Sequence, residues 1–338
     1  MTTIALPARK VQFRLDATAI VYLALFALLV IGSIVVAARG GGVLLDQAGI
    51  LKILTGCTAL GLVAIGQTLA VVAGSLDLSV AYLIGLCSLV TAEVMAGQGS
   101  MMLPAVLAAL GVAALVGLVN GVVITALRVN AFIATLGMAL ILKGVLESRY
   151  TGPAGSTTKD FQRLGYDRIG PVPVSFLLLL LVAVGAWWFL ARTRPGYHMY
   201  AVGGDIESAR VSGVRTSRTI VLAHVLCSLA AGATGVFLAS RLGSGAPYVG
   251  TDAGYDLQSI AAVVLGGTVL AGGRGGVAGT VGGVMILSVL DTIFDDLGVN
   301  SFFKDVVRGV IIIVAVALYA RGRLARRRLV TPPAGADQ

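Results

Sequence analysis

Long apolar runs broken by short polar intervals fill the chain, and their spacing predicts ten membrane-spanning helices near residues 17–38, 49–73, 79–98, 102–127, 131–147, 174–191, 219–240, 257–271, 276–293 and 305–320. Most of these runs reach the ~18 residues that carry a helix across a ~30 Å hydrocarbon core. The predicted fold is therefore an all-α, polytopic membrane protein with a single transmembrane domain. Only short Gly-rich breaks separate the second run from the third and the eighth from the ninth, so helix ends are least defined there.

The polar interval at residues 192–218 interrupts this pattern most sharply. Within it Gly203 and Gly204 are expected to break the chain, and Asp205 can accept a hydrogen bond from the free N–H groups of a helix starting at Ile206. Glu207 falls in the first turn, where the helix dipole favours an anion, and Arg210 in the last. Gly213 stands where a left-handed residue closes a helix. About two turns result, fewer than the ~12–15 residues that hold a helix alone in water. Such a helix needs a surface to rest on, either its own protein or a partner.

Composition agrees with the membrane reading: 57% of residues are hydrophobic, 12% are charged, and the mean hydropathy is +0.94. Soluble proteins average about 25% charged residues. Forty-five glycines suit closely packed membrane helices. The net charge of +9 comes from arginines at the ends of apolar runs, which mark topology rather than nucleic-acid binding. Placing the basic segments in the cytoplasm requires six spans within 17–191 and four within 219–320. That puts the tail 1–16, the loop 192–218 and the tail 321–338, with Arg321, Arg323, Arg326, Arg327 and Arg328, on one side. The loop 148–173 falls outside, although it carries Arg149, Lys159, Arg163 and Arg168. Residues 17–38 are too long for the 7–15-residue apolar core of a signal peptide and are read as the first span. Cys57, Cys87 and Cys227 are odd in number, scattered and set in apolar segments, so they imply packing and no disulfide frame or metal site.

Two internal echoes suggest a pair of inverted halves. Leu127, Arg128, Val129, Asn130, Ala131 and Phe132 are answered 170 residues later by Leu297, Gly298, Val299, Asn300, Ser301 and Phe302. The first link faces the cytoplasm and the second faces outward in the ten-span scheme, as an inverted repeat requires. Asp77 and Leu78 before the third span are likewise answered by Asp256 and Leu257 at the eighth.

Asp77 and Ser79 place a carboxylate and a hydroxyl in an apolar stretch, where an ionisable group faces protein or water. Asp77 or Ser79 can cap the third span, line a pathway, or do both. Glu93, Lys143 and Asp291 are further ionisable groups near spans, and Asp305 and Arg308 share a helix face three residues apart. His224 has no acidic neighbour in sequence and reads as a packing residue rather than a proton relay. Gly275, Gly279 and Gly283 recur every four residues, a stripe for close helix contact, and Arg274 lies at the break beside it. A phosphate-cradling loop is excluded because no Gly-Lys-Ser/Thr follows at the required spacing. No catalytic serine elbow, nucleotide fingerprint or cofactor motif is present, so the chain is not expected to be an enzyme or to hold a cofactor.

Several motifs, in order, resemble the inner-membrane permease subunits of bacterial ATP-binding-cassette importers of the ribose/xylose/autoinducer type. They are residues 73–79 (AGSLDLS, like the family's GGIDLS), Asn120-Gly121, 132–137 (FIATLG), 200–213 (YAVGGDIESARVSG), 255–268 (YDLQSIAAVVLGGT), 272–275 (GGRG) and Gly279-Thr280. The resemblance implies a type II importer fold in the bacterial inner membrane, with both termini cytoplasmic. It also implies a second permease copy or related permease, a separate cytoplasmic ATPase, a periplasmic substrate-binding protein, and surrounding lipid. The loop 192–218 then becomes the coupling element to the ATPase, with Gly203, Gly204, Asp205, Glu207, Arg210, Ser212 and Gly213 as its site residues. Asp77, Ser79, Asn130, Phe132, Asp256 and Gln258 are the candidates for the translocation pathway or its helix breaks. Asp205, Ser75, Asn130 and Asp256 depart from the family's usual Asn, Gly, Pro and Glu. The expected function is import of a pentose-like sugar. The alternatives are an ion-coupled carrier using Asp77 or Asp256 as its proton site, and a membrane scaffold without transport.

Overall fold

The computed structural model describes residues 17–310 apart from 41, 301, 305 and 308, and the chain is helical nearly throughout. In order the elements are α1 (Ala17–Ala38), α2 (Gln47–Val72), α3 (Val80–Met95), α4 (Met102–Ala126), α5 (Ala131–Arg149) and α6 (Lys159–Tyr166). A two-stranded hairpin follows, β1 (Arg168–Ile169) and β2 (Val172–Pro173). Then come α7 (Val174–Arg192), α8 (Arg194–Gly204), α9 (Ile206–Val211), α10 (Thr216–Leu242), α11 (Val249–Asp252), α12 (Tyr255–Leu265) and α13 (Val277–Asp296).

Seven of the described helices are long and apolar enough to cross a membrane. The third and eighth predicted spans are shorter than expected, at 16 residues for α3 and 11 for α12. At the usual helical rise these reach only ~24 and ~17 Å, less than a ~30 Å hydrocarbon core. Left-handed backbone ends both runs early: Ala96 (φ 45°) and Gly97 (φ 71°) close α3, while Gly254 (φ 62°) and Gly267 (φ 84°) bracket α12. Most of the predicted tenth span at 305–320, the Asp305–Arg308 pair and both terminal tails lie outside the described residues.

Buried α10 packs most extensively on α4, α3 and α2. It meets α4 antiparallel at points where only glycine fits. A Cβ on Gly117 would lie 2.6 Å from the His224 carbonyl oxygen, and one on Gly121 the same distance from Val221 Cα. Likewise α2 runs antiparallel to α13: Ser288 Oγ donates to Ile53 O at 2.8 Å, and the Thr68 and Thr280 hydroxyls meet at 2.7 Å. The expected glycine stripe is shorter than its sequence spacing implied. Gly275 precedes α13 with φ 122°, and only Gly279 and Gly283 lie on the helix. A Cβ on either would strike α12, 2.0 Å from Gly266 O and 2.2 Å from Ala262 O.

The 170-residue echo is a repeated local structure. Arg128 (φ 56°) and Gly298 (φ 65°) occupy the same left-handed position. Two residues later each Asn side chain accepts from a Phe N–H, Asn130 from Phe132 at 2.9 Å and Asn300 from Phe302 at 3.0 Å. The two links sit at opposite ends of the bundle, because α4 ends beside the start of α10 whereas α13 ends beside the start of α2. Asn130→Ala is expected to lower stability by ~1 kcal/mol, with Asn130→Asp nearly neutral because it keeps the capping oxygen. Thermal unfolding of the purified protein checks this, and equal losses from both variants would remove the cap.

The loop 148–173 is folded onto the end of α10. Tyr166 Oη donates to Arg241 O at 2.7 Å, and Ala154 pairs with Gly245.

Candidate functional site

Between α2 and α3 the chain leaves helical geometry at residues 74–79 inside the bundle, and the polar groups of that segment find partners on three other helices. Asp77 is fully buried. Its Oδ1 accepts from Ser79 N (2.9 Å) and Ser79 Oγ (2.5 Å), and its Oδ2 faces Asn120 Nδ2 of α4 (3.4 Å) and His224 Nδ1 of α10 (3.3 Å). The Gln67 amide, oriented to satisfy both groups, donates to Asp77 O and accepts from Asp77 N, each at 3.3 Å. Asn120 also donates to Ser79 Oγ at 3.0 Å. Irregular backbone at membrane depth is tolerated only where protein satisfies it, and here protein does.

Two expectations are corrected at this segment. Ser79 makes no side-chain capping bond to α3. Its hydroxyl donates to Asp77 instead, and Asp77 accepts the N–H of Ser79 rather than those of the first turn. His224, read as a packing residue without an acidic partner, has Asp77 on Nδ1 and Ser75 Oγ on Nε2 at 2.7 Å. With Nδ1 carrying a proton toward the carboxylate, His224 accepts from Ser75 when neutral and donates to it when charged. No local pattern marks His224, because its partners lie 147 and 149 residues away. Asn120, a polar residue amid the apolar run of α4, was the visible signal.

The loop 192–218 holds two helices rather than one. Gly203 and Gly204 close α8 instead of breaking the chain, and the break falls at Asp205, whose backbone is extended. The predicted short helix is α9. Asp205 caps it by accepting from Ser208 N at 2.7 Å, with Glu207 in the first turn and Arg210 in the last, paired at 2.6 Å. That N–H holds the exposed Asp205 carboxyl below the usual carboxylate range, so the cap persists at neutral pH and is lost only on acidification. Gly213 (φ 83°) ends α9 with N–H bonds from Gly213 to Arg210 O and from Val214 to Ala209 O, both 3.0 Å, the Schellman pattern. Ala209 packs inward, whereas Ile206 and Val211 are exposed (46% and 86%).

The end of α8 meets two breaks in the bundle through glycine alone. A Cβ on Gly203 would lie 1.9 Å from Val72 O, at the end of α2. Gly272 (φ 85°) and Gly273 (φ 72°), in the turn between α12 and α13, press on Gly203 and Gly204, and Gly273 N donates to Val72 O at 3.0 Å. Gly74 lies against both sides of this contact, three residues before Asp77. The loop thus abuts the segment that carries the buried cluster.

The remaining candidates do not join this cluster. Phe132 is 51% exposed at the start of α5. Thr135 of that helix reaches the break, facing Leu76 O at 3.4 Å. Asp256, unlike Asp77, is half-exposed, and its carboxylate accepts its neighbour Leu257 N at 2.9 Å. Gln258 lines a cleft at the opposite end of the bundle. All three cysteines are buried and unpaired, and among the described residues no group of His, Cys, Asp and Glu could hold a metal.

Residues 49–316 match the family described as branched-chain amino acid transport system / permease component. The ribose import permease protein RbsC of Escherichia coli (strain K12) is 39% identical over 260 residues, covering 75% of this chain and 80% of that protein. RbsC of Bacillus subtilis (strain 168) is 35% identical over 301 residues, covering 88% of this chain and 91% of that protein. The L-arabinose transport system permease protein AraH of Escherichia coli (strain K12) is 37% identical over 270 residues, with 79% and 81% covered. No solved structure matches the chain.

Proposed function

We propose, from the premise that the chain belongs to the family of branched-chain amino acid transport system permease components, that it forms the membrane pathway of an ATP-binding-cassette importer for a monosaccharide. The observation that carries the sugar assignment is the alignment of ribose and arabinose permeases with three quarters or more of the chain. In this reading hydrolysis belongs to a separate cytoplasmic ATPase and delivery to a periplasmic binding protein. A second permease copy or a related permease completes the pathway in the inner membrane. Both chain termini and the loop 192–218 face the cytoplasm.

The loop's geometry supports its role as the coupling element. Helix α9 is capped at both ends by its own chain, which leaves Ile206 and Val211 free as apolar contacts for a groove on the ATPase. Val211→Asp is expected to weaken permease–ATPase association about tenfold, or ~1.4 kcal/mol, while membrane insertion is retained. Co-purification titrated with ATPase reads this, and unaltered association would remove α9 from the interface.

One feature favours a second reading. Asp77 and His224 form the sort of buried ionisable pair that a proton-coupled carrier uses. Vesicles containing permease, ATPase and binding protein separate the two readings. ATP-dependent monosaccharide uptake that survives an uncoupler supports the importer, and uptake that collapses under the uncoupler with ATP still present supports the carrier.

A further inference from the structure

His224 projects from α10 into the closed interior of the bundle, and the break at residues 74–79 engages both of its ring nitrogens. Nδ1 faces Asp77 Oδ2 at 3.3 Å, and Nε2 meets Ser75 Oγ at 2.7 Å. The helix behind the ring is held in place, since α4 lies so close at Gly117 that even a Cβ would meet the His224 carbonyl oxygen. Gly74, the residue before Ser75, packs on Gly203 at the end of α8. The break is thus held between a fixed ring and the loop 192–218.

Histidine is the side chain whose charge ordinarily changes near neutral pH, and here a change of charge alters both bonds. A neutral ring with its proton on Nδ1 donates to Asp77 and accepts the Ser75 hydroxyl proton at Nε2. A charged ring donates from both nitrogens, so the Ser75 hydroxyl must turn and accept. The Ser75 bond then becomes charge-assisted, and the Asp77 bond becomes an ion pair. Charge-assisted bonds are about twice as strong as neutral ones, so protonation fastens the break to α10 at two points.

The surroundings leave that change uncompensated. Asp77 has its one ion pair among the described residues with His224. Of the elements packed on α10, α4 presents the neutral Asn120 to the same carboxylate, and α2 presents the neutral Gln67, against which the Cys227 thiol of α10 lies. On α2 Lys52 pairs with Asp296 far along the helix, and on α3 Cys87 is turned to Ala109 O and Glu93 to Tyr150. The charged residues of α6, α8 and α9 are exposed.

We propose that His224 is a positioning residue for transport: on gaining a proton it fastens the break at 74–79 to α10 and slows the movement that the loop 192–218 imparts to it, so uptake falls on acidification. The proton is exchanged as the break moves and is not carried across, which separates this role from that of a proton-coupled carrier. The proposal rests on the importer reading above.

The test follows ATP-driven ribose uptake by vesicles that hold permease, ATPase and binding protein, with an uncoupler present so that both faces share one pH. The range runs from ~pH 8 to ~pH 5.5, which brackets the ordinary titration of histidine. Wild-type uptake is expected to fall about tenfold across it, the worth of exchanging a neutral hydrogen bond for a charge-assisted one. His224→Gln keeps one donor and one acceptor but cannot take the charge, so its rate relative to wild type is expected to rise about tenfold on acidification. Ser75→Ala leaves the charged ring one strong bond in place of two, and its fall is expected to shrink to about threefold. A merely structural histidine predicts the same fractional loss at every pH. A ratio of His224→Gln to wild type that does not change with pH therefore overturns the proposal, and if that variant does not assemble, a constant ratio for Ser75→Ala does so. A wild-type rate that holds steady on acidification overturns it without any variant. Wild-type uptake at ~pH 8 under the uncoupler reads the importer assignment by itself, so loss of that activity and loss of the pH contrast are distinguishable.

Discussion

Gly203→Ala is expected to abolish ATP-driven uptake and to destabilise the protein by about 3 kcal/mol, the upper range for overpacking a filled interior. Alanine in itself suits a helix better than glycine by up to ~1 kcal/mol, so any loss must come from the contact. The added methyl would sit 1.9 Å from the Val72 carbonyl oxygen and 2.7 Å from Gly273 N, which are backbone atoms that no rotamer change can move aside. The neighbouring Gly204 provides the control, since a Cβ there meets nothing within 4 Å. In thermal stability Gly204→Ala should be neutral or slightly stabilising. Thermal unfolding of the two variants, with uptake in vesicles, makes the comparison. Equal behaviour of both would mean that the end of α8 does not press on α2 as described.

The second large effect is expected at Asp77. Asp77→Ala removes the acceptor shared by Ser79, Asn120 and His224 and leaves those donors buried. Each buried donor left without an acceptor costs about 1–3 kcal/mol. Adding His224→Leu to Asp77→Ala should recover part of that loss, because residues in one network couple by ~0.5–3 kcal/mol. Purely additive losses in the double-mutant cycle would show that the two side chains do not act together. The position of the break matters as much as its stability. Ser75, Asp77 and Ser79 are tied to α10 and α4, while Gly74 beside them touches the end of α8. A displacement of the loop therefore reaches the break directly, and its anchors on α10 and α4 decide how far the break can yield.

Hydropathy located nine predicted spans that correspond to described helices, because apolar length is a property of contiguous sequence. It overestimated α3 and α12 since the residues that end them, such as Gly254 and Gly267, are themselves compatible with an apolar run. The α9 helix was legible almost to the residue. Its cap at Asp205, its charges at Glu207 and Arg210 and its stop at Gly213 all act within one or two turns. What lay beyond reach was α8, whose helical Gly203 and Gly204 look like breakers until the backbone they must approach is known. His224 was missed for the same reason, as its chemistry depends on Asp77 from a distant segment. The segments around Asn130 and Asn300 were legible as an echo in sequence, whereas the turn and the Asn side-chain bond they share came only with the structure.

The meeting of α8, α2 and the turn before α13 has no side chains at its centre. Ordering a long side chain on contact costs up to ~2 kcal/mol in lost rotamer freedom, and glycine costs none of it. Formation of this surface is therefore free of a side-chain entropy penalty.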